Sequence, residues 1–440
     1  MNKRPPLLIR HVMYNLRGGF LVRPLAIALT LAAAGFSLSW LEEDHPGIGA
    51  WVPPLLFPSH SDPQVAQVIL GAIGTSIMTV VSIVFAIVLM ALTLASMQFS
   101  PRIIVSFARD RVTQGTLGIF LGTFSYCMAA LPAAHSQPRP FAPVLTVLGA
   151  MLLALACVAW LLYFIHHISQ AISVNQIVDK IAKETEAVVD DTMPWPRRAT
   201  HMTGAGPIGQ LTWEQPVLSE VSGYIRFIDV NRLATLATDH RIKIQVLHRV
   251  GRFVPQGVPL MNISKAERTT PELEAALRAA FDFGPSRTLQ QDVEFGILLI
   301  VDIALKAISP AVNDPSTAIS CVDQLSRIMI RVASREAPEC GLYNPPGVLR
   351  VYSPWIGFEP LLESAFEQIR MYSKSDIAVS LRVLRALGDI AATTVDGEIR
   401  KVILDRANRV VMGCSERLGE HEMTQLRTRL AALQSVAITM

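Results

Sequence analysis

The sequence predicts an α-helical polytopic membrane protein with four transmembrane helices, followed by a cytoplasmic α+β region in which a small β module precedes a helical domain. The main evidence is four long stretches without a charged side chain: residues 24–41, 63–101, 112–134 and 140–165. A helix rises about 1.5 Å per residue, so roughly 20 apolar residues cross ~30 Å of hydrocarbon. Hydrophobic residues make up 51% of the chain and charged residues 17%, as expected when part of a chain is membrane-embedded.

The four apolar stretches differ in length. The first is barely long enough to cross a bilayer, whereas the third and fourth have ordinary lengths. The second is too long for one simple crossing, so we expect its ends to project beyond the hydrocarbon or the helix to tilt. Together the stretches predict a transmembrane domain over residues 24–165, preceded by a cytoplasmic N-terminal segment over residues 1–23.

The charges of the short loops predict the orientation, because Lys and Arg are retained on the cytoplasmic side. The segment before the first helix carries bases and no acid: Lys3, Arg4, Arg10, Arg17 and Arg23. The first loop carries acids and no base: Glu42, Glu43, Asp44 and Asp62. The second loop is basic again, with three arginines and one aspartate between residues 102 and 111. We therefore expect both termini in the cytoplasm.

Beyond the membrane domain the chain changes character twice. Residues 166–210 predict a charged exit helix and then a linker rich in Pro and Gly. Residues 211–265 predict a small β-rich module, because apolar and polar residues alternate as in half-buried strands. Its strands are predicted over 217–228 and 241–248, with a short helix over 231–239.

The end of this module, residues 251–260, resembles the closing turn and strand of lipoyl/biotinyl-type hammerhead barrels. Carrier domains of that kind present a modifiable lysine on a hairpin, and no lysine occupies a comparable hairpin in this sequence. The resemblance therefore implies a structural or oligomerising barrel rather than a carrier of a prosthetic group. We expect no cofactor.

Residues 266–440 predict a helical cytoplasmic domain. Its helices are predicted over 271–283, 288–308, 315–335, 358–371, 375–394, 396–412 and 420–436. The helix over 288–308 is apolar at its centre, but acidic and basic residues interrupt it too often for a membrane span. We expect this helix to be buried in the soluble domain.

The turn between two of these helices has the most distinctive local sequence of the tail, Asn313-Asp314-Pro315-Ser316-Thr317. It predicts a helix start, since a side-chain oxygen caps free N–H groups and proline fits the first helical position. Two other interpretations stay open. With Lys306 one turn earlier, the helix start could bind an anion or phosphate. Alternatively, Asn313, Asp314 and Asp302 could coordinate a cation.

A stripe of small and polar residues runs along the second transmembrane helix. Projected at 100° per residue, its members fall within an arc of about 100°. They are Gly71, Thr75, Thr79, Ser82, Ala86, Thr93, Ser96 and Ser100. One interpretation is close helix packing, which small residues permit in membranes. The other is that copies of this helix surround an axis in a homo-oligomer and their hydroxyls line a water-filled path.

The motifs that would indicate other classes of protein are missing from the sequence. It contains no Walker A loop, no H-E-x-x-H and no G-x-S-x-G motif, so we expect no enzyme activity and no catalytic residues. His166 and His167 are adjacent and point about 100° apart on a helix, which favours interfacial or headgroup contact over a shared metal ion. A net charge of +3 gives no reason to expect nucleic acid as a partner.

Five segments carry a family resemblance: residues 70–102, 118–126, 163–168, 287–296 and 313–315. The first ends in Ala95-Ser96-Met97-Gln98-Phe99-Ser100-Pro101-Arg102. Together these segments resemble a bacterial family of predicted integral membrane proteins, domain of unknown function 2254. The resemblance covers most of the chain and brings no established activity, substrate or catalytic residue. We expect a multi-pass protein of the bacterial inner (cytoplasmic) membrane.

The function is therefore inferred from the residues. Ion-coupled transporters generally need ionisable groups at membrane depth, and the four apolar stretches hold none. This favours a channel-like or transport-related homo-oligomer in the lipid bilayer, gated or assembled by its cytoplasmic domain. The alternative is a non-conducting membrane scaffold or sensor that binds a ligand or partner through the turn at 313–317.

Overall fold

The computed structural model describes residues 22–45, 62–98, 111–135, 140–171, 173–193, 213–336, 340–344 and 347–439. The predicted N-terminal basic segment before Val22 and the predicted linker over 194–210 lie outside these residues. The chain forms two compact units, Met1–Ser173 and Val174–Met440. Each is described by itself.

The first unit consists of four long helices. They are α1 (Val22–Asp44), α2 (Pro63–Gln98), α3 (Arg111–Ala130) and α4 (Val144–Ala171). All four are long and apolar enough to span a membrane, so the prediction of four candidate spans is confirmed. At 36 residues, α2 is about 54 Å long and exceeds the hydrocarbon thickness. In α3 half of the apolar window is buried, the largest share among the four, because α3 has the most extensive packing against the other helices.

Glycines bring α1 and α3 into close contact. A Cβ atom at Gly118 would lie 2.7 Å from Cδ1 of Ile27, and one at Gly122 would lie 2.5 Å from Cδ1 of Leu31. From the other side, a Cβ at Gly35 would lie 2.7 Å from the carbonyl oxygen of Tyr126. Small residues at such positions let helix backbones approach each other in membranes. On α3 the two glycines, Gly118 and Gly122, form a Gly-x-x-x-Gly motif.

A buried glutamate joins the end of α1 to the start of α4. Glu42 is 3% exposed, and its carboxylate accepts hydrogen bonds from the backbone N–H groups of Leu145 (2.7 Å) and Thr146 (3.0 Å). The hydroxyl of Thr146 donates a third bond, of 2.9 Å. The first N–H groups of a helix have no partner within the helix, and a negative charge there also matches the helix dipole. Glu42 therefore acts as an N-cap supplied from another helix.

The second unit starts with α5 (Val174–Thr192) and then combines eight strands with eight further helices in the described residues. The strands are β1 (Gln215–Leu218), β2 (Gly223–Ile228), β3 (Ile244–Val246), β4 (Phe253–Val254), β5 (Pro259–Ile263), β6 (Phe281–Gly284), β7 (Gly341–Asn344) and β8 (Val348–Tyr352). The helices are α6 (Val230–Asp239), α7 (Pro271–Arg278), α8 (Val293–Ala307), α9 (Pro315–Ala333), α10 (Phe358–Tyr372), α11 (Ile377–Thr393), α12 (Gly397–Cys414) and α13 (Glu420–Thr439). The predicted α+β region downstream of the membrane helices is thus confirmed.

The strands form two sheets. One has the order β1-β5-β3-β8-β7 and the other the order β4-β2-β6. Within the larger sheet β3 and β8 are parallel, with Ile244 opposite Val351, and the other neighbours are antiparallel. Buried residues of both sheets, among them Ile225 and Leu260, form one core with Leu233 of α6. This core positions the loops that carry the charged cluster described below.

Several predicted boundaries differ from the structure. The strand predicted over 217–228 is two strands in different sheets, separated at Ser219, whose hydroxyl donates to the carbonyl of Val221. The helix predicted over 271–283 ends at Arg278, because Phe281–Gly284 pairs with β2 as a strand. Strands β6 to β8 lie beyond residue 265, so the sheets draw residues from both sides of the boundary predicted there. The predicted exit helix is divided, since α4 ends at Ala171 and α5 begins at Val174.

Arginines of α9 hold α5 in place within the second unit. Arg327 donates to Glu186 and Asp179 of α5, with nitrogen–oxygen distances of 2.5 and 2.9 Å. Arg331 pairs with Asp190 at 2.5 Å, and Arg335 contacts the same carboxylate. The hydrogen bond from Arg331, despite some burial, lowers the pKa of Asp190 below its ordinary value. The charged residues predicted for the exit helix therefore form an ion-pair ladder.

Candidate functional site

The stripe on α2 faces away from the other helices of the first unit. Thr75, Thr79, Ser82, Ala86 and Thr93 are exposed, and Gly71 is partly exposed. Each of the four hydroxyls donates to the carbonyl oxygen four residues earlier, at 2.8–3.1 Å. Ser96 lies in α2, but its side chain is outside the described part, as is Ser100 altogether. The hydroxyl protons are thus satisfied within the helix, and the oxygen atoms keep lone pairs on the outer face.

The opposite face of α2 carries the contacts within the chain. Its buried residues include Ala66, Leu70, Gly74, Ile77, Val84 and Val88. They pack against α3 and α4. Close approach inside this unit is therefore made by the buried face of α2 and by the glycines of α1 and α3. Among the residues that the structure describes, the stripe does not serve helix packing within one chain.

The turn before α9 has the geometry of a helix cap. Asp314 is the N-cap residue, and its carboxylate accepts from the N–H of Thr317 at 3.1 Å and from its hydroxyl at 2.6 Å. These bonds lower the pKa of Asp314 below its ordinary value. Asn313 has a φ of +50°, a left-handed conformation that Asn tolerates better than most residues. The loop closes through the N–H of Asp314, which donates to the carbonyl of Ala307 in α8.

The cap engages the Asp314 carboxylate and the N–H and hydroxyl of Thr317, which are part of the two ligand interpretations. An anion at this helix start would meet the Asp314 carboxylate, which already accepts the Thr317 N–H. Ser316 and Asn313 are exposed, while Lys306 lies half-buried in the last turn of α8. In the described residues no group of three or more His, Cys, Asp or Glu side chains is placed to hold a metal ion. The geometry supports the helix cap, and the two ligand interpretations stay predictions.

Asp314→Ala is expected to lower the free energy of unfolding by about 1 kcal/mol, the usual effect of losing an N-cap. Asp314→Asn is the matched control, because Asn keeps an oxygen that can accept from Thr317 and should retain most of the stability. Urea unfolding of the full-length protein in detergent measures both. Equal stability of Asp314→Ala and the wild type would show that the cap has no energetic role.

The histidine pair lies in the last turns of α4. His166 is exposed and forms a 3.0 Å hydrogen bond with Gln170 through its Nε2 atom. The ring of His167 stacks on Tyr163, with centroids 6.3 Å apart. The two rings thus have different partners on the same helix, and they do not form a joint site.

A charged cluster at the start of α8 was not predicted as a site. Arg287 donates to both oxygens of Asp292 (2.8 and 2.9 Å) and to Glu294 (2.8 Å). Glu294 also accepts from Arg249 at 3.0–3.1 Å and from the hydroxyl of Ser364 at 3.3 Å. Two positive and two negative side chains thus share one small volume, and the Asp292 side chain is only 2% exposed. Asp292 is in addition the N-cap of α8.

The arginines of this cluster favour the ionised form of Glu294. Burial opposes the charge of Glu294, but hydrogen bonds from Arg287 and the nearby charge of Arg249 lower its pKa below the ordinary value. Gly251 has a φ of +86° and passes so close to Asp292 and Arg287 that a side chain there would collide with them. The sequence signal was an Arg and two acids just before an apolar run. Their partner Arg249 lies about 40 residues earlier and has no local signature.

The family described as predicted membrane protein (DUF2254) matches residues 17–389 of the chain. The chain belongs to this family. The DUF2254 match includes the stripe of α2, the turn at 313–317 and the charged cluster, and it ends before α12. The resemblance noted from five short segments is therefore confirmed.

Similar proteins occur in mycobacteria. An uncharacterized protein of Mycobacterium bovis and one of Mycobacterium tuberculosis are each 32% identical to this chain over 371 residues. The similar region covers 82% of this chain and 70% of each relative. No solved structure matches the chain.

Proposed function

We propose that this DUF2254 protein is a homo-oligomeric, channel-like protein of the bacterial inner membrane, with both termini and the α+β region in the cytoplasm. The observation that carries this proposal is the outward-facing stripe of α2. The small and hydroxylated side chains lie on this face with the exposed Val68, Met78 and Leu89, and the described helices of the same chain pack on the other face.

A second copy of the chain is the partner that suits the stripe. Transmembrane helices associate through close packing rather than through a hydrophobic driving force, and their contacts are enriched in Gly, Ala, Ser and Thr. Positions flanking the stripe carry large exposed apolar side chains, such as Ile83 and Phe85. These suit lipid, whereas the members of the stripe are small or hydroxylated. Several copies of α2 would then surround an axis, with their stripes facing it.

Water and ions are the contents that suit a path between such copies. The stripe hydroxyls donate to their own backbone, so their oxygen atoms would point lone pairs into the path. The described stripe residues carry no charge, which favours a passive path over proton-coupled transport. The α+β region would regulate this path. It connects through α5, which begins three residues after α4 ends and is held by the arginines of α9.

Thr79→Leu and Ser82→Leu are expected to abolish conductance in a reconstituted bilayer while the detergent-solubilised particle keeps its mass, because the added bulk would dry and narrow the path. Thr79→Val keeps the shape of the side chain and removes only its oxygen, so conductance should fall without a change in assembly. Ser76→Leu is the control, since Ser76 is exposed on the same helix and projects outside the arc of the stripe. It should leave conductance and mass unchanged.

A different outcome would identify the non-conducting alternative. If Thr79→Leu dissociates the particle, the stripe is a packing surface between copies, since overpacking separates helices. Stable wild-type oligomers that pass no ions under voltage or tension would contradict the channel and leave a membrane-anchored scaffold or sensor. A monomeric wild-type particle would contradict both the channel and the oligomer.

A further inference from the structure

The α+β region contains a cavity of about 60 Å³ beside the charged cluster. Its walls come from the end of β2, the loop before β4, the start of α8 and the segment after β8. Apolar side chains, among them Ile228, Val250 and Val293, line much of it, and the polar side chains of the lining are Arg249, Gln291, Asp292, Ser353 and Trp355. By a comparable measure one water molecule needs about 10–15 Å³, so the cavity admits a small polar head group.

The ring of Trp355 lines this cavity and carries an unused donor. Its Nε1 atom is buried, and it has no hydrogen-bond partner in the part of the chain that the structure describes. An indole N–H can only donate. Most buried polar side-chain atoms have a partner, and leaving a donor unpaired disfavours the folded state. An acceptor entering the cavity would remove this cost.

Arg249 and Gln291 add further donors. Only Nη2 of Arg249 is engaged, by Glu294, and its other N–H groups contact no acceptor among the described residues. The side chain of Arg249 is 25% exposed, which leaves it accessible from solvent. The amide of Gln291 is fixed by the backbone of Ile228: its oxygen accepts from the N–H at 3.0 Å, and its nitrogen points to the carbonyl at 3.5 Å. The second N–H of the Gln291 amide has no acceptor among the described residues.

Asp292 borders the cavity, and its negative charge is paired with Arg287. Both oxygens of Asp292 accept from Arg287, and one of them also accepts from the N–H of Phe295. Both oxygens of the Asp292 carboxylate therefore already have donors. Apolar walls reduce the local dielectric constant and strengthen hydrogen bonds to a charged acceptor.

We propose that this cavity binds the oxyanion head of a small molecule, a carboxylate or a phosphate group, with Trp355, Arg249 and Gln291 as donors. The remainder of the molecule would extend past Arg249 into solvent. This binding site is independent of the stripe and of any conduction through the membrane unit. The α+β region would then bind an oxyanion ligand at a site separate from the membrane unit.

The test uses the full-length protein in detergent with ¹⁵N-labelled tryptophan, whose indole signals report on each ring. Trp355→Phe identifies the Trp355 signal. Sodium acetate, inorganic phosphate and acetamide are titrated separately at constant ionic strength with chloride as the balancing ion. Acetamide has the shape of acetate without its charge. We expect saturable shifts of the Trp355 signal with acetate or phosphate, and far weaker ones with acetamide.

Variants locate the site. Arg249→Gln should weaken binding about tenfold or more, as expected for a hydrogen bond to a charged group, and Trp355→Phe about three- to tenfold, as for a neutral one, both measured by calorimetry. Gln291→Glu retains an oxygen for the Ile228 N–H and places a competing carboxylate in the cavity, so binding should be lost without loss of the fold. Arg409→Gln is the control, because Arg409 is a half-exposed arginine paired with Asp405 on α12.

Three results would overturn the proposal. The first is a Trp355 signal that none of the probes moves at millimolar concentration, which would mean that the cavity holds only water. The second is an equal response to acetamide and acetate. The third is undiminished affinity in Gln291→Glu protein. If the cavity binds these probes, the relative affinities for phosphate and acetate show whether its ligand carries a phosphate or a carboxylate head group.

Discussion

Arg287→Met is expected to lower the free energy of unfolding of the α+β region by about 3–5 kcal/mol, the range found when one partner of a buried ion pair is removed. The substitution leaves the Asp292 carboxylate, 2% exposed, with a single backbone donor. Methionine approximates the length of the arginine stem, so lost packing contributes little. Urea unfolding of the full-length protein, followed by near-UV circular dichroism, measures the change.

Two variants separate the ion pair from a general effect of losing an arginine. Arg409→Met removes a half-exposed i,i+4 pair and should change stability by less than about 1 kcal/mol. Asp292→Asn in the Arg287→Met background removes the uncompensated charge and keeps a side chain that caps helices well, so part of the stability should return. If Arg287→Met and Arg409→Met are equally stable, the cluster is not the structural centre inferred above.

The same cluster predicts a direction for the pH dependence of stability. The folded-state pKa of Glu294 is lowered, because hydrogen bonds from Arg287 and the charge of Arg249 outweigh burial. A lowered pKa gives stability that is fully present above the ordinary pKa of glutamate, about 4.3, and is lost as the pH falls through the folded value. Asp314, whose pKa is also lowered, acts in the same direction. Glu294→Gln should therefore flatten the loss of stability below about pH 4.3.

The sequence predicted elements that depend on local signals. Charge-free stretches indicated the four long helices, and the Asn-Asp-Pro turn indicated the start of α9 at Pro315. Period-2 alternation placed β3 within the predicted strand over 241–248. These signals lie within one element or its first turn, so composition and spacing are sufficient to find them.

Elements that depend on distant partners were missed. The parallel pairing of β3 with β8 joins Ile244 to Val351 across more than a hundred residues, and neither segment specifies the other. Residues 279–283 were predicted to continue a helix because they contain no Gly or Pro. In the structure Phe281–Gly284 instead pairs with β2 as strand β6. The charged cluster has the same origin, since Arg249 reaches Glu294 only after the sheets have formed. Long-range pairing of this kind has no local periodicity.

Glu42, one acid of the first loop, has a structural role as well as a place in the charge pattern of the loops. The absence of bases in that loop predicts an external position, and Glu42 was counted among its charges. In the structure Glu42 is buried and caps α4, so packing accounts for its presence. The prediction of orientation therefore rests on the positions of Lys and Arg, which are also the residues that determine topology.

Glu42→Ala is expected to destabilise the membrane unit by about 3 kcal/mol or more, because it combines the loss of an N-cap with three donors left without their acceptor. Those donors are the N–H groups of Leu145 and Thr146 and the Thr146 hydroxyl, all at 2.7–3.0 Å from the carboxylate. Thermal unfolding in detergent measures the effect. Glu43→Ala is the matched control, since Glu43 is the next residue and is exposed.

Glu42→Gln distinguishes the charge from the hydrogen bonds. One amide oxygen can still accept from the start of α4, while the amide nitrogen faces a donor and the favourable contact with the helix dipole is lost. Its stability should therefore lie between those of wild type and Glu42→Ala. If Glu42→Ala unfolds at the same temperature as Glu43→Ala, then solvent or lipid headgroups satisfy the start of α4, and the link between α1 and α4 contributes nothing to the stability of the four-helix unit.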